Sequence, residues 1–360
     1  MRTLLPAIVL IACAAPSPAQ KIVGGPYVVN AAPGNATIVW VEQDSQVTLH
    51  EPDQTSRTSP SLRVQKTTLT GLKPNTRYEY DAAAQHGSFR TPPIGAEPYN
   101  FIVYGDTRSR HDVHRRVMAE LVKHGIPDFV LHTGDMVVDG EDSSLWPLFF
   151  DIEKDLLRQT VFFPSLGNHE RNTDYFATLF LKESSYYSFN WGNGHFAVIN
   201  SDIANAAVGQ RAKDAFWGAQ THWLEDDLER HQNSVYRFVI AHHPPFTAVA
   251  SRQGQNPQMT ALTPLFEKYK VAAAFFGHDH NYQHYLKNGI HYVVTGGGGA
   301  PLYDVDKPAP GITQKVVSIE NFVKVSSDAA GLHIEAIAID GRTLDKFEIP
   351  PNSTPAPAPR

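Results

Sequence analysis

The sequence predicts two folded parts, a small all-β domain followed by a larger α/β domain. The length of 360 residues suggests about two domains, at roughly 150 residues per domain. Up to about residue 95, short segments of alternating apolar residues are separated by Gly, Pro and Asn, which is typical of a β-sandwich. From residue 98 onward, apolar strand-like runs alternate with segments of helical periodicity, which favours a layered α/β domain.

The composition supports a large hydrophobic core and excludes some functions. Hydrophobic residues make up 42% of the chain and charged residues only 19%, so a disordered or fibrous chain is excluded. The net charge of −6 and the lack of basic runs argue against a nucleic-acid partner. Because 17 histidines accompany a single cysteine, a metal site in this chain would use imidazole and oxygen ligands.

The N-terminus predicts an exported protein. Arg2 precedes an apolar run at residues 4–15, and small residues follow up to Ala19, as in a signal peptide at residues 1–19. Residues 10–13 also resemble the lipobox of bacterial lipoproteins, so a lipid anchor on Cys13 is the alternative to simple cleavage. We therefore expect a periplasmic or secreted protein, or a membrane-anchored lipoprotein. No later segment has the roughly 18 apolar residues of a membrane helix.

Residues 21–95 are expected to form the β-sandwich, with Trp40 as the buried tryptophan of an early strand. Residues 72–78 have the spacing Leu-x-Pro-x-Thr-x-Tyr, which resembles the tyrosine corner of fibronectin type III domains. The resemblance implies a fibronectin type III-like domain, and no catalytic cluster occurs in it. The predicted strands are 37–41, 47–49, 67–69 and 76–80.

The α/β domain is expected to span residues 98–349. Helical periodicity predicts helices at 113–123, 146–157 and 221–231. Residues 350–360 are rich in Pro, Ala, Ser and Thr, and we expect a disordered tail there.

Five apolar runs of the α/β domain end in polar residues suited to metal binding. In an open α/β sheet, sites assemble beyond the carboxyl ends of strands, so these residues are expected to converge. Carboxylate, amide and imidazole ligands together fit Zn, Fe or Mn better than calcium. The runs and their polar ends are 101–108 with Gly-Asp, 129–135 with Gly-Asp, 161–170 with Gly-Asn-His-Glu, 238–245 with His-His-Pro, and 274–280 with Gly-His-Asp-His.

This order of motifs resembles the calcineurin-like metallophosphoesterase superfamily. The preceding fibronectin-like segment makes the purple acid phosphatase branch the most similar one. The resemblance implies a four-layer α-β-β-α sandwich and two divalent or trivalent metal ions, Fe, Zn or Mn. It also implies hydrolysis of small-molecule phosphate monoesters by attack of a metal-bound hydroxide on phosphorus.

The resemblance also implies a role for individual residues. His169 corresponds to the family histidine that contacts the phosphoryl group or protonates the leaving group, and His243 is a weaker candidate for that task. Arg108 is expected to meet a phosphate oxygen, because its guanidinium matches phosphate geometry. The implied ligands are Asp106 and His280 for the first metal, Asp135 for both metals, and Asn168, His242 and His278 for the second.

Two positions depart from the family pattern. Val138 stands where purple enzymes have the tyrosine that gives their colour, so no purple colour is expected. Arg108 stands where the wider superfamily often has a histidine ligand. The first metal is thus left with three side chains, and water, His111, His114 or His132 are candidates to complete it.

Two other functions remain open from the sequence. A phosphodiesterase would use the same metal ligands, and a surface-binding protein would keep the metal domain as a degenerate scaffold. Residues 201–220 and a loop at 248–260 are expected to line the substrate pocket. The glycines at 296–299 are expected to form a close turn beside the metals, because no nucleotide-binding fingerprint surrounds them.

Overall fold

The computed structural model describes residues 21–50, 52 and 55–351. The predicted signal peptide with Cys13, and residues 352–360 of the predicted tail, lie outside the described residues. The strands are β1 (Lys21–Ala32), β2 (Asn35–His50), β3 (Ser56–Thr70), β4 (Arg77–Ala82), β5 (Gln85–Arg90), β6 (Tyr99–Tyr104), β7 (Phe129–His132), β8 (Val161–Pro164), β9 (Tyr187–Trp191), β10 (Gly194–Val198), β11 (Tyr236–Ile240), β12 (Ala273–Phe276), β13 (Tyr282–Lys287), β14 (Ile290–Thr295), β15 (Thr313–Val317), β16 (Asn321–Ser327), β17 (Leu332–Ala338) and β18 (Thr343–Ile349). The helices are α1 (His111–Lys123), α2 (Trp146–Leu157), α3 (Asp174–Leu179), α4 (Ile203–Ala206), α5 (Gln210–Arg230) and α6 (Pro257–Lys268), with a 3-10 turn at Ala250–Arg252.

Two large sheets form the centre of the protein. One has nine strands in the order β18-β17-β16-β6-β7-β8-β1-β2-β3, and the other has seven in the order β15-β13-β14-β12-β11-β10-β9. Strands β6, β7 and β8 run parallel, as do β10, β11, β12 and β14. These central strands are apolar along almost their whole length because both of their faces are buried.

The two sheets pack face to face, with helices on both outer sides. Phe101 of β6 meets the rings of Phe196, Phe238 and Phe275 of the other sheet edge-on, with centroids 5.5 to 6.1 Å apart. Helices α1 and α2 cover the nine-stranded sheet, and α5 and α6 cover the seven-stranded one. The predicted four-layer α-β-β-α architecture is therefore confirmed.

The predicted helices agree with the structure to different degrees. Helix α2 has the predicted bounds, and α1 begins two residues earlier than predicted. Helix α5 begins at Gln210, well before the predicted start at residue 221. The sequence pattern does not indicate the first half of this helix, because its residues are mostly exposed and form no apolar stripe. Helix α6 begins at Pro257, inside the segment predicted as a loop at 248–260. None of the described helices is both long enough and apolar enough to cross a membrane.

The regular elements of residues 21–95 are all strands: β1, β2 and β3 extend the nine-stranded sheet, while β4 and β5 form a separate two-stranded sheet. Strand β1 pairs in parallel with β8 through Val28 and Val161, and Tyr27 stacks on Phe150 of α2 at 5.1 Å. Buried residues of β1 and β2 share both cores of the nine-stranded sheet with the α/β part. The buried clusters thus contain residues from both sides of residue 95.

Details of this N-terminal segment differ from the prediction at two points. The predicted strands 37–41 and 47–49 are one strand, β2, which forms a long hairpin with β3. Trp40 is half-buried and not buried, and its indole Nε1 donates to Glu42 at 3.1 Å. The predicted tyrosine corner is present, since the hydroxyl of Tyr78 accepts a hydrogen bond from the Lys73 N–H at 2.8 Å.

Candidate metal centre

The polar residues that follow five central strands meet at one site between the two sheets. Asp106, Asp135 and Asn168 follow β6, β7 and β8 of the nine-stranded sheet. His242 and His278 follow β11 and β12 of the seven-stranded sheet. The parallel direction of these strands brings all five loops to the same edge, as the sequence predicted.

The backbone at the strand ends is held in an unusual conformation. Asp106, Asp135 and His278 have positive φ values of 60°, 58° and 69°. Such values are uncommon for residues other than glycine, and they cluster at functional sites. Gly134 precedes Asp135 with a φ of 97°, and a Cβ there would lie 2.6 Å from the Gly167 nitrogen. The close approach of these loops therefore requires glycine at position 134.

One group of ligand atoms is formed by Asp106, Asp135 and His280, which lie within 4.8 Å of one another. His280 Nε2 is 3.4 Å from Asp106 Oδ1, while His280 Nδ1 donates to the Pro301 carbonyl at 2.6 Å. Asp106 Oδ1 is buried and has no hydrogen-bond partner among the described residues. A buried carboxylate oxygen without a partner is costly, and a metal ion would satisfy it, so this donor set fits a metal.

A second group of ligand atoms surrounds the amide oxygen of Asn168. This Oδ1 atom is 3.1 Å from both His242 Nε2 and His278 Nδ1, and these two nitrogens are 3.3 Å apart. His242 Nδ1 donates to the Thr133 carbonyl at 2.8 Å, which leaves the lone pair of Nε2 free for a metal. Asp135 Oδ1 is 3.4 Å from His242 Nε2, so Asp135 touches both groups.

Burial and mutual charge shift the pKa values of these residues. Burial raises the pKa of Asp106, but the nearby imidazoles of His280 and His242 lower it more, so its pKa lies below the ordinary value. Burial lowers the pKa of His242, yet the carboxylates of Asp135 and Asp106 bring it above the ordinary value. Burial holds the pKa of His278 well below its ordinary value, which favours the neutral, ligating form of this imidazole.

Glu170 is a site residue that the sequence reasoning missed. Its carboxylate accepts hydrogen bonds from the backbone N–H groups of Asp135, Met136 and Gly167 at 2.7 to 2.8 Å. Burial and the neighbouring Asp135 raise its pKa to about 7. Glu170 thus ties together the loops that present Asp135 and Asn168. Its place in the Gly-Asn-His-Glu motif was the available signal.

Of the three residues predicted to act on substrate, His169 and Arg108 lie beside Asp135, whereas His243 offers a ligand atom within 4.8 Å of those of His242 and His278. His169 is partly exposed, its Nδ1 is bonded to the Val138 carbonyl at 2.7 Å, and its Nε2 is 3.8 Å from Asp135 Oδ2. Arg108 Nε is 3.4 Å from the same Asp135 oxygen. His243 is buried beside His278, with ring centroids 4.2 Å apart, and its Nδ1 is 2.9 Å from the Ser201 hydroxyl.

The other predictions around the site have mixed outcomes. The buried histidines His114 and His132 bond Glu153 and Thr107 instead of joining either ligand group. The glycines at 296–299 do form a close turn, since a Cβ on Gly296 would lie 2.8 Å from Asp106 Oδ2.

A pocket of about 450 Å³ opens beside His243 and His278. Apart from these two histidines, its lining comes from the two segments that the sequence predicted for the substrate, 201–220 and 248–260. The lining residues are Ser201, Asp202, Ile203, Ala204, Gln210, Lys213, Gln255, Asn256, Pro257 and Gln258.

Comparison with known proteins gives consistent matches. The calcineurin-like phosphoesterase family profile matches residues 99–282. An uncharacterized protein of Mycobacterium tuberculosis is 25% identical over 311 residues, covering 72% of this chain and 57% of that protein. Acid phosphatase type 7 of Mus musculus is 23% identical over 252 residues, covering 62% of this chain and 57% of that protein. The chain thus spans a little over half the length of these relatives.

A solved structure matches most of the fold. The purple acid phosphatase from yellow lupin (Lupinus luteus) seeds superposes with a TM-score of 0.73 at 17% sequence identity. The match covers 90% of this chain and 74% of the lupin chain. The match leaves out only a tenth of this chain, and residues 21–95 are about a fifth of it, so the match includes part of the N-terminal segment.

Proposed function

The chain belongs to the calcineurin-like phosphoesterase family, and from this premise we propose that it is an exported, metal-dependent hydrolase of small-molecule phosphate monoesters. The predicted resemblance to purple acid phosphatases is confirmed by a homologous plant purple acid phosphatase and by the fold of the lupin enzyme. Export rests on Arg2 and the apolar run that follows it.

The observation that carries the proposal is the pair of ligand groups joined by Asp135. One carboxylate shared by two donor sets is what a centre with two metal ions needs. Such ions, when bound, activate water and neutralise charge on the phosphoryl group, and the donors suit Fe, Zn or Mn. The residues that would hold them are Asp106, Asp135 and His280 on one side, and Asp135, Asn168, His242 and His278 on the other.

His169 is the proposed proton donor to the leaving group. The bond from its Nδ1 to the Val138 carbonyl fixes the ring and leaves Nε2 directed toward the site, 3.8 Å from Asp135 Oδ2. A proton held at Nε2 can pass to the leaving oxygen, or the N–H can bind a phosphoryl oxygen. Arg108 supplies a permanent positive charge beside Asp135, where a phosphate oxygen would be stabilised.

The test is a comparison of two substrates with the same aryl leaving group. The values of kcat/KM for the phosphate monoester and for the matching diester are measured on metal-reconstituted protein at acid and alkaline pH. We expect a strong preference for the monoester. A strong preference for the diester would replace this proposal with a phosphodiesterase. A protein that binds no transition metal and hydrolyses neither ester would be a binding protein.

A further inference from the structure

The side chains that line the pocket beside the candidate metal centre indicate the chemical class of the substrate. Its volume of about 450 Å³ lies within the range of small-molecule sites, about 300–1,000 Å³. It lies against His243 and His278, so the alcohol part of a phosphate ester bound at the candidate metal centre would have this space beside it. The inference below rests on the proposed phosphoesterase function.

Three amide side chains in this lining have their NH₂ groups turned toward the protein. Gln210 Nε2 donates to Asp214 Oδ1 at 2.8 Å, Gln255 Nε2 donates to the Ser251 carbonyl at 2.8 Å, and Asn256 Nδ2 donates to the Pro244 carbonyl at 3.3 Å. Because carboxylates and carbonyls only accept hydrogen bonds, each contact requires the NH₂ side of the amide. The three amide oxygens therefore remain as acceptors for the hydroxyl groups of a ligand.

The other polar residues of the lining, besides the two histidines, are Ser201, Asp202, Lys213 and Gln258. Lys213 is half-buried and supplies an ammonium group that donates hydrogen bonds, so the pocket offers a donor as well as acceptors. A hydroxyl group both donates and accepts, and it matches such a mixed set. Gln258 adds an amide with both functions.

The apolar part of the lining contains no phenyl, phenol or indole ring. Among the described residues that line the pocket, the apolar ones are Ile203, Ala204 and Pro257, and the only rings with aromatic character are the histidines of the metal centre. Nucleobases and aryl groups gain much of their binding energy by stacking on aromatic side chains. Such a leaving group would have little to stack on here.

We propose that the natural substrate is the phosphate monoester of a non-aromatic, polyhydroxylated alcohol, a sugar or polyol phosphate. Gln210, Gln255 and Asn256 accept hydrogen bonds from its hydroxyl groups, and Lys213 donates to a hydroxyl oxygen. The phosphoryl group is transferred to water in the same reaction, and the free sugar or polyol leaves from the pocket.

The experiment compares kcat/KM for a hexose phosphate and for phenyl phosphate, in the metal-loaded parent and in Gln210→Leu and Gln255→Leu. We expect the parent to prefer the hexose phosphate. Each variant should reduce the ratio of kcat/KM for the hexose phosphate to kcat/KM for phenyl phosphate about fivefold or more. This is the effect of losing one neutral hydrogen bond of about 1 kcal/mol. Both glutamines are exposed at the surface, so neither substitution removes a buried contact.

Gln159→Leu is the matched control, because Gln159 is also tethered by its Nε2, to the Asp155 carbonyl at 2.7 Å, but lies outside the pocket. This variant should keep the parent's ratio. A parent that prefers phenyl phosphate, or pocket variants that leave the ratio unchanged, would overturn the inference while the phosphatase function stands. Hydrolysis of neither ester would overturn the proposed function and the inference together. Binding can also be measured without catalysis. The saturation-transfer NMR signal of free hexose should be stronger with the parent than with Gln255→Leu.

Discussion

Single residues position the candidate metal centre, and Glu170 does so without belonging to either ligand group. Its carboxylate accepts hydrogen bonds from the backbone N–H groups of Asp135, Met136, Val137 and Gly167. These four residues lie outside the strands and helices. A buried carboxylate beside Asp135 is costly, and these four hydrogen bonds offset that cost.

Glu170→Ala should therefore destabilise the protein. The substitution leaves several buried N–H groups without an acceptor, at about 1–3 kcal/mol for each. We expect the free energy of unfolding to fall by about 3 kcal/mol or more, measured by urea denaturation. Glu183→Ala, at an exposed glutamate, is the control and should change stability little. A Glu170→Ala protein as stable as the parent would contradict the role assigned to this carboxylate.

His169→Ala should separate catalysis from metal binding. His169 lies beside Asp135 but outside both ligand groups, so the variant should keep the parent's metal content. Loss of a proton donor should lower kcat for an aryl phosphate about 100-fold. His222→Ala, at an exposed histidine, should retain the parent's kcat. If His169→Ala turned over as fast as the parent, the proposed proton transfer would be wrong.

At this scale the sequence predicted which polar residues lie together but not how they are held. The order of the motifs identified Asp106, Asp135, Asn168, His242 and His278 as neighbours because strand ends converge. The bond from His242 to the Thr133 carbonyl and the contact of Arg108 with Asp135 depend on side-chain directions, which no spacing encodes. The same is true of the amides that face the pocket.

At the scale of elements, the strands were predicted better than the helices. The buried strands β7, β8 and β12 read as continuous apolar runs, which a parallel sheet requires. The first half of α5 has no apolar face, and the sequence predicts a loop at 248–260, where α6 in fact begins at Pro257. Both helices contribute residues to the pocket beside His243 and His278, on a partly exposed surface where no continuous apolar stripe is required.

Strands β13 and β14 carry a pair of histidines that should make stability depend on pH. His291 Nδ1 is 2.9 Å from His284 Nε2, and His284 Nδ1 is 2.7 Å from Asp345 Oδ2. Burial and the neighbouring His284 lower the pKa of His291 to about 4. In the unfolded chain its pKa is about 6.5, so the unfolded state binds more protons between these two values.

The contribution of His291 is thus fully present above about pH 6.5 and is lost as the pH falls toward 4. We expect the unfolding free energy of His291→Gln to fall less steeply than that of the parent over this window, measured by urea denaturation at several pH values. His222→Gln should follow the parent. Parallel curves for His291→Gln and the parent would show that this histidine titrates normally in the folded state.

At the scale of the whole molecule, the N-terminal strands and the α/β layers form one structure. Tyr27, Val28 and Val39 are fully buried, and their neighbours include residues of α2 and β8. The alternation of residues 21–95 predicted strands correctly, but it did not indicate their partner. Strand pairing over more than 130 residues, as between Val28 and Val161, leaves no local signal in the sequence.

A chain that begins at Glu97 should therefore fold poorly. The truncation removes β1, and this uncovers the edge of β8 and the face of Phe150 that packs on Tyr27. We expect less soluble protein and a lower unfolding temperature than for the full chain, measured by thermal denaturation. A truncated protein that unfolds at the parent's temperature with full activity would show that the N-terminal strands are an independent module.

The most direct test of the metal-dependent phosphoesterase is the metal content of the parent and of Asp135→Ala, measured together with hydrolysis of an aryl phosphate monoester. Asp135 belongs to the first ligand group, and its Oδ1 lies 3.4 Å from His242 Nε2 of the second. We predict two transition-metal ions per chain and hydrolysis in the parent, and loss of both ions and of hydrolysis in the variant. A variant that hydrolyses the ester as fast as the parent, or a parent that takes up no metal, would contradict the account.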